Sequence, residues 1–124
     1  MSIQKETDIS NELTTYTVNG KVTLDEILSE VESFYDGDPT PNVLWDFRDA
    51  ILWAINAKDV EIISSYRSRF TEGSIRKKTG LIISDEHSQN LAIWFQGYGK
   101  IDELPFGVEV FRTKSEAIEW LSVV

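Results

Sequence analysis

A chain of 124 residues that is 41% hydrophobic and 27% charged has the length of one domain around one core, and too much apolar content for wholesale disorder. It contains no cysteine, which excludes disulfides, thiolate metal sites and cysteine nucleophiles and fits a reducing compartment. Twelve Lys and Arg against twenty-one Asp and Glu give a net charge of −9, a surface that repels a phosphate backbone and argues against general nucleic-acid binding.

The N-terminus, Met1-Ser2-Ile3-Gln4-Lys5-Glu6, shows no basic-then-apolar leader. No apolar run nears the ~20 residues that span a bilayer, so the expected location is the cytoplasm. Residues 3–7 read as a weak strand, and residues 13–18 as a stronger one rich in β-branched and aromatic side chains. Residues 8–12, with Ser10-Asn11, read as the turn between them, and Asn19-Gly20 as the end of the second strand. Thr23 and Glu26 form a T-x-x-E capping box that opens a helix. Leu24, Ile27, Leu28, Val31, Phe34 and Tyr35 follow at helical spacing, and the segment from Asp36 to Pro41 stops the helix.

Residues 43–47, Val-Leu-Trp-Asp-Phe, read as a buried central strand. A loop through Ile51 and Trp53 leads to Asn56, the expected N-cap of a helix that runs to about Phe70 and stops at Gly73. Its buried stripe passes Val60, Ile63, then Tyr66 or Arg67, and Phe70. Residues 79–84 form the next strand. Asp85 or Ser88 caps a third helix over 89–98, which Gly97 and Gly99 are expected to break. Residues 108–111 form the last strand, and Thr113 with Glu116 caps a final helix carrying Ala117, Ile118, Trp120 and Leu121. The order β-β-α-β-α-β-α-β-α predicts a single α/β domain with a mostly parallel sheet, right-handed crossovers and an antiparallel N-terminal edge hairpin.

No catalytic, cofactor or metal constellation emerges. Asp46 and Asp49 flank a strand end, where open α/β sheets bind ligands, but no glycine-rich loop or second histidine joins them, and both are expected to bond loop backbone. Asp85-Glu86-His87 holds the one histidine and reads as a loop and cap. Gly97-Tyr98-Gly99 follows a helix, whereas a dinucleotide fingerprint follows a strand. Arg67, Arg69, Arg76, Lys77 and Lys78 gather five of twelve basic residues in one window, where Glu72 is the only acid. The expectation there is a solvated helix face and loop, with an acidic partner or phosphate as the alternative.

The third helix carries the strongest anomaly. Leu91-Ala92-Ile93-Trp94-Phe95 is five apolar residues in a row, and Tyr98 follows a turn later. A helix one layer deep buries a stripe and not its circumference, so some of Ile93, Trp94, Phe95 and Tyr98 must face outward. Large outward aromatics, together with Trp53, mark a surface for a partner or an apolar ligand.

The closing strand and helix, Val110-Phe111-Arg112-Thr113 followed by Glu116-Ala117 and Trp120-Leu121, resemble those of the SpoIIAA-like domains of the STAS superfamily. So do the strand ending in Val18-Asn19-Gly20, the helix start Thr23-Leu24-Asp25-Glu26, and the strand Val43-Leu44-Trp45-Asp46-Phe47-Arg48 with its terminal acid. The resemblance spans nearly the whole chain. It implies a β-α superhelical fold and a non-enzymatic, often dimeric interaction or regulatory module. It also implies a kinship with lipid-binding CRAL-TRIO-type domains, which keeps a small apolar ligand as the alternative to a protein partner. In anti-sigma-factor antagonists of this group, a serine at the start of the helix after the central strand is phosphorylated. The matching segment here is Trp53-Ala54-Ile55-Asn56-Ala57, and no Ser or Thr occurs from Phe47 through Ile63. A phosphoryl switch at that position has no hydroxyl to use.

Overall fold

An opening hairpin is followed by three strand–helix–strand units and a last helix. The computed structural model describes residues 3–71, 78–101 and 107–122. The elements are β1 (Ile3–Asp8), β2 (Leu13–Lys21), α1 (Leu24–Asp36), β3 (Asn42–Ile51), α2 (Ala57–Thr71), β4 (Lys78–Ile82), α3 (Glu86–Ile101), β5 (Gly107–Phe111) and α4 (Lys114–Ser122). The five strands lie in the order β1-β2-β3-β4-β5. β1 is antiparallel to β2, and every later pair is parallel. This is the mixed α/β fold expected from the strand and helix order.

Strands that advance in one direction through right-handed crossovers place every crossover helix on the same face. The packing follows that rule. Tyr16, Val18, Val43, Trp45, Leu81, Ile83 and Val108 form one core with Ile27, Val31 and Phe34 of α1, Val60 of α2, and Leu91 and Ala92 of α3. The alternate strand positions Leu44 and Ile82 point to the opposite face, where Ala117 and Leu121 of α4 cover them. The sheet is therefore covered on both faces, by α1, α2 and α3 on one and by α4 on the other.

The capping box at α1 forms in full, and the pair at α4 makes the Thr113 half of it. The Thr23 side chain accepts from the Glu26 amide while the Glu26 carboxylate accepts from the Thr23 amide. At α4 the Glu116 amide donates to Thr113 Oγ1. Asn56 caps α2 through a reciprocal pair: its Oδ1 accepts from the Asp59 amide at 2.9 Å, and Asp59 accepts from the Asn56 amide.

Several boundaries differ from the sequence reading, among them β4, which spans Lys78–Ile82 where residues 79–84 were expected. β2 does not stop at Asn19-Gly20. A bulge between Thr17 and Asn19 and a left-handed Gly20, at φ +73°, carry it on to Lys21. β3 likewise extends to Ile51, because its second half keeps pairing with the lengthened β2. α3 begins at Glu86, capped by Asp85 Oδ1 accepting from the Ser88 amide at 2.8 Å, and runs through Gly97 and Gly99. A helical glycine costs only about 1 kcal/mol relative to alanine, which tertiary packing outweighs here. The expected stop at Gly73 lies outside the described residues.

Candidate functional site

α3 divides its five apolar residues between two sides. Ser88, Leu91, Ala92 and Phe95 share the i, i+3, i+4, i+7 stripe that faces the sheet. Leu91 and Ala92 are buried, and Phe95 and Tyr98 are half-buried against the main core. Ile93 and Trp94 fall on the opposite side and are 50% and 46% exposed. Of the five aromatic and aliphatic residues singled out as a contact surface, Ile93 and Trp94 thus face outward on α3, while Phe95 and Tyr98 turn inward. Trp53 lies in the β3–α2 loop and is 85% exposed. That loop is held to the start of α3 by His87, whose Nε2 lies 3.0 Å from the Leu52 carbonyl oxygen and 3.2 Å from that of Ile55. The single histidine thus sits in the first turn of α3, not in the loop-and-cap position expected, and ties that turn to the β3–α2 loop.

Beneath α3 lies a pocket of about 100 Å³ between the sheet and the three crossover helices, lined mainly by apolar side chains. Tyr16 and Trp45 form part of its floor, with their rings stacked at 4.2 Å, and Phe34 meets Tyr16 edge-on. Tyr35 of α1, Arg67 of α2 and Phe95 of α3 line it from above. Arg67 is buried at 6% exposure. Its guanidinium carbon sits 4.9 Å from the centre of the Phe95 ring, a cation–π contact, and it hydrogen-bonds Tyr35. Burial pushes the Arg67 guanidinium down to about 10, with Tyr35 opposing the shift, so the group remains charged at neutral pH. Burial likewise raises the Tyr35 phenol, against the pull of the Arg67 charge. Tyr16 is 1% exposed, and its hydroxyl has no hydrogen-bond partner among the described residues. Burial raises its phenol too, helped by the charge of Glu30.

The basic window does not form one solvated patch. Arg67 turns into the core, which settles the choice between Tyr66 and Arg67 for the buried stripe. Arg69 stays exposed, over the Tyr66 ring. Lys78 bonds the Trp120 carbonyl at 3.2 Å, on the α4 side. Arg76 and Lys77 lie outside the described residues.

Asp46 and Asp49 differ in burial and bonding. Asp46 is buried and accepts from Arg48 three times, from the backbone amide at 3.1 Å, from Nε at 2.9 Å and from Nη2 at 2.7 Å. Burial raises its carboxyl, but these bonds outweigh that and hold it below the ordinary aspartate range. Asp49 is exposed on the strand end. Among the described residues no group of three His, Asp or Glu side chains is placed to hold a metal ion. None of the described helices is long and apolar enough to cross a membrane.

Sequence periodicity pointed to α3 but missed the polar half of the pocket. Tyr16 and Tyr35 read as ordinary apolar positions. Only the placement of an arginine on the α2 stripe signalled that a charge turns inward.

No family model matches the chain, and no curated protein does. Two solved structures match it along nearly their full lengths. One is the anti-sigma factor antagonist SpoIIAA in its unphosphorylated form, 13% identical, with a TM-score of 0.62 over 98% of this chain and 99% of that one. The other is an uncharacterized protein of the DUF3478 family from Shewanella loihica PV-4, described as having a SpoIIAA-like fold. It is 20% identical, with a TM-score of 0.56 over 96% of this chain and 91% of that one. Identities this low speak to the backbone and leave activity open; on that footing, the chain has the SpoIIAA-like fold that its strand and helix motifs resembled.

Proposed function

We propose that this protein is a non-enzymatic interaction or regulatory module that works in the cytoplasm, pairs with a second copy of itself, and operates without a phospho-acceptor serine at the start of α2. The observation that carries the reading is the outward placement of Ile93 and Trp94 on α3, half-exposed beside a core that had room for Phe95. Apolar surface of that kind is stabilised by covering it, and a twofold contact needs only one self-complementary patch. The net charge of −9 opposes self-association, so the contact centres on these uncharged side chains and leaves acids at its rim. SpoIIAA, by its description an anti-sigma factor antagonist, acts on another regulatory protein. The shared fold makes the same class of role the natural one here. At the start of α2 the Asn56 amide donates to Asp59 and the Asp59 amide to Asn56 Oδ1, and neither Asn56 nor Ala57 offers a hydroxyl.

Sedimentation tests this reading. The wild type should sediment as a dimer at high micromolar concentration, and Ile93→Ser with Trp94→Ser should give a folded monomer. Phe95 is left unchanged because it packs inside. A wild-type monomer would sink the dimer.

A second reading, a small apolar ligand, is favoured by the pocket beneath α3. α3 contributes Phe95, Leu91 and Ala92 to it, whereas Trp94 and Trp53 are not among the lining residues. At about 100 Å³ it is well below the ~300 Å³ lower bound of pockets for drug-sized molecules, so the occupant is small.

A further inference from the structure

The pocket beneath α3 pairs an apolar wall with two deeply buried polar groups, the Arg67 guanidinium and the Tyr16 hydroxyl. Tyr35, which hydrogen-bonds Arg67, lines the same pocket. A tyrosine buried only for its ring is matched by phenylalanine. A hydroxyl kept in a dry core without a partner costs stability, and it is retained where something else uses it. Water can bond these polar groups, but only an occupant with an alkyl part also covers the apolar wall.

We propose that this pocket binds a small amphipathic carboxylate, its short alkyl chain against Leu91, Ala92 and Phe95 and its head accepting hydrogen bonds from Arg67 and the Tyr16 hydroxyl. The inference rests on the small-ligand reading above and adds the head group. Among the described residues of the lining Arg67 is the only charged one, which suits an occupant with one negative charge. A phosphate dianion would bring a second, uncompensated charge into an apolar site, where it is strongly disfavoured. A guanidinium meets a carboxylate through two parallel N–H donors, and a phenol adds a third. The volume sets the chain length: an engineered cavity of ~150 Å³ takes benzene, so about 100 Å³ suits a chain of roughly four carbons.

The test compares butanoate with 1-butanol, matched in length and different in charge, by two-dimensional amide NMR titration of the full chain. Butanoate should bind at least tenfold more tightly than 1-butanol, with shifts confined to residues around the pocket. Tyr16→Phe keeps the ring and the fold, and it should weaken butanoate about tenfold while leaving 1-butanol unchanged. Ala92→Leu fills the space and should abolish both. Equal binding of the two probes, or undiminished butanoate binding by Tyr16→Phe, would overturn the carboxylate assignment while leaving an apolar site. Binding of neither would overturn the assignment and the small-ligand reading together.

Discussion

Replacing Tyr16 by phenylalanine removes one oxygen from the interior and leaves every ring contact in place. The ring keeps its stack on Trp45 at 4.2 Å and its edge contact with Phe34 at 6.4 Å. What disappears is a hydroxyl that is buried without a partner, a group whose desolvation costs about 1–3 kcal/mol. Some of that is recovered by water entering the pocket, so the expected gain in stability is about 1 kcal/mol, or roughly 3–5 °C in Tm for a chain of this size. Equilibrium unfolding in urea measures it, with an unchanged m-value showing that the same surface is exposed on unfolding. Tyr35→Phe is the paired control. Its hydroxyl bonds the Arg67 guanidinium, and a hydrogen bond to a charged group contributes about 1.5–3 kcal/mol, so this variant should lose stability. A loss of 1 kcal/mol or more in Tyr16→Phe would refute the reasoning, because it would mean that the hydroxyl is satisfied in the folded protein.

Asp49→Asn should change stability by no more than about 0.5 kcal/mol, since the side chain is exposed, and added divalent metal should not raise the wild-type melting temperature. Asp46→Asn should cost about 1 kcal/mol at pH 7, because one partner of the bidentate Arg48 pair is half-exposed. Since the folded Asp46 carboxyl lies below its unfolded value of 3.8, that contribution is full above pH 4–5 and is lost as pH falls through the folded value; an acid titration of the two proteins should show their stabilities converging there. Leu44→Ala, at a fully buried position under α4, should cost about 3 kcal/mol in chemical denaturation. Mass spectrometry of protein from its host should place no phosphate between Phe47 and Ile63; of the three serines that follow in α2, Ser64 is buried at 2% exposure, Ser68 is half-buried, and Ser65 is the one fully open to a kinase.

Local chemistry made the architecture legible. The two T-x-x-E boxes and Asn56 each fix a helix start through side-chain bonds within three residues, so they are visible in a short window of sequence. What depends on partners distant in the chain was not visible. β2 continues past Asn19-Gly20 because β3 is there to pair with it, and α3 continues through Gly97 because β5 and the core hold it. The five-residue apolar run in α3 announced an excess of bulk, yet its division into inward Phe95 and outward Trp94 required the phase of the helix against the sheet. The inward turn of Arg67 was one of two open choices on a stripe, and the phenols it meets come from α1 and β2, more than thirty residues upstream. A pocket assembled from three helices and a sheet leaves no spacing signature in any one of them.

The strand order, simply one to five along the sheet, also bears on how the chain comes off a ribosome. Each emerging strand finds its neighbour already made, and no segment must wait for one synthesised much later. Each parallel pairing closes over one crossover helix and goes no further along the chain, which favours stepwise growth from the N-terminal side over a search among more distant pairings. The exception is the back of the sheet. Leu44 and Ile82 stay bare until α4, which follows all five strands in the chain, arrives to cover them. For the interval in which the helix is still inside the exit tunnel, the nascent sheet presents a flat apolar surface, and that is the moment at which a chaperone has something to hold.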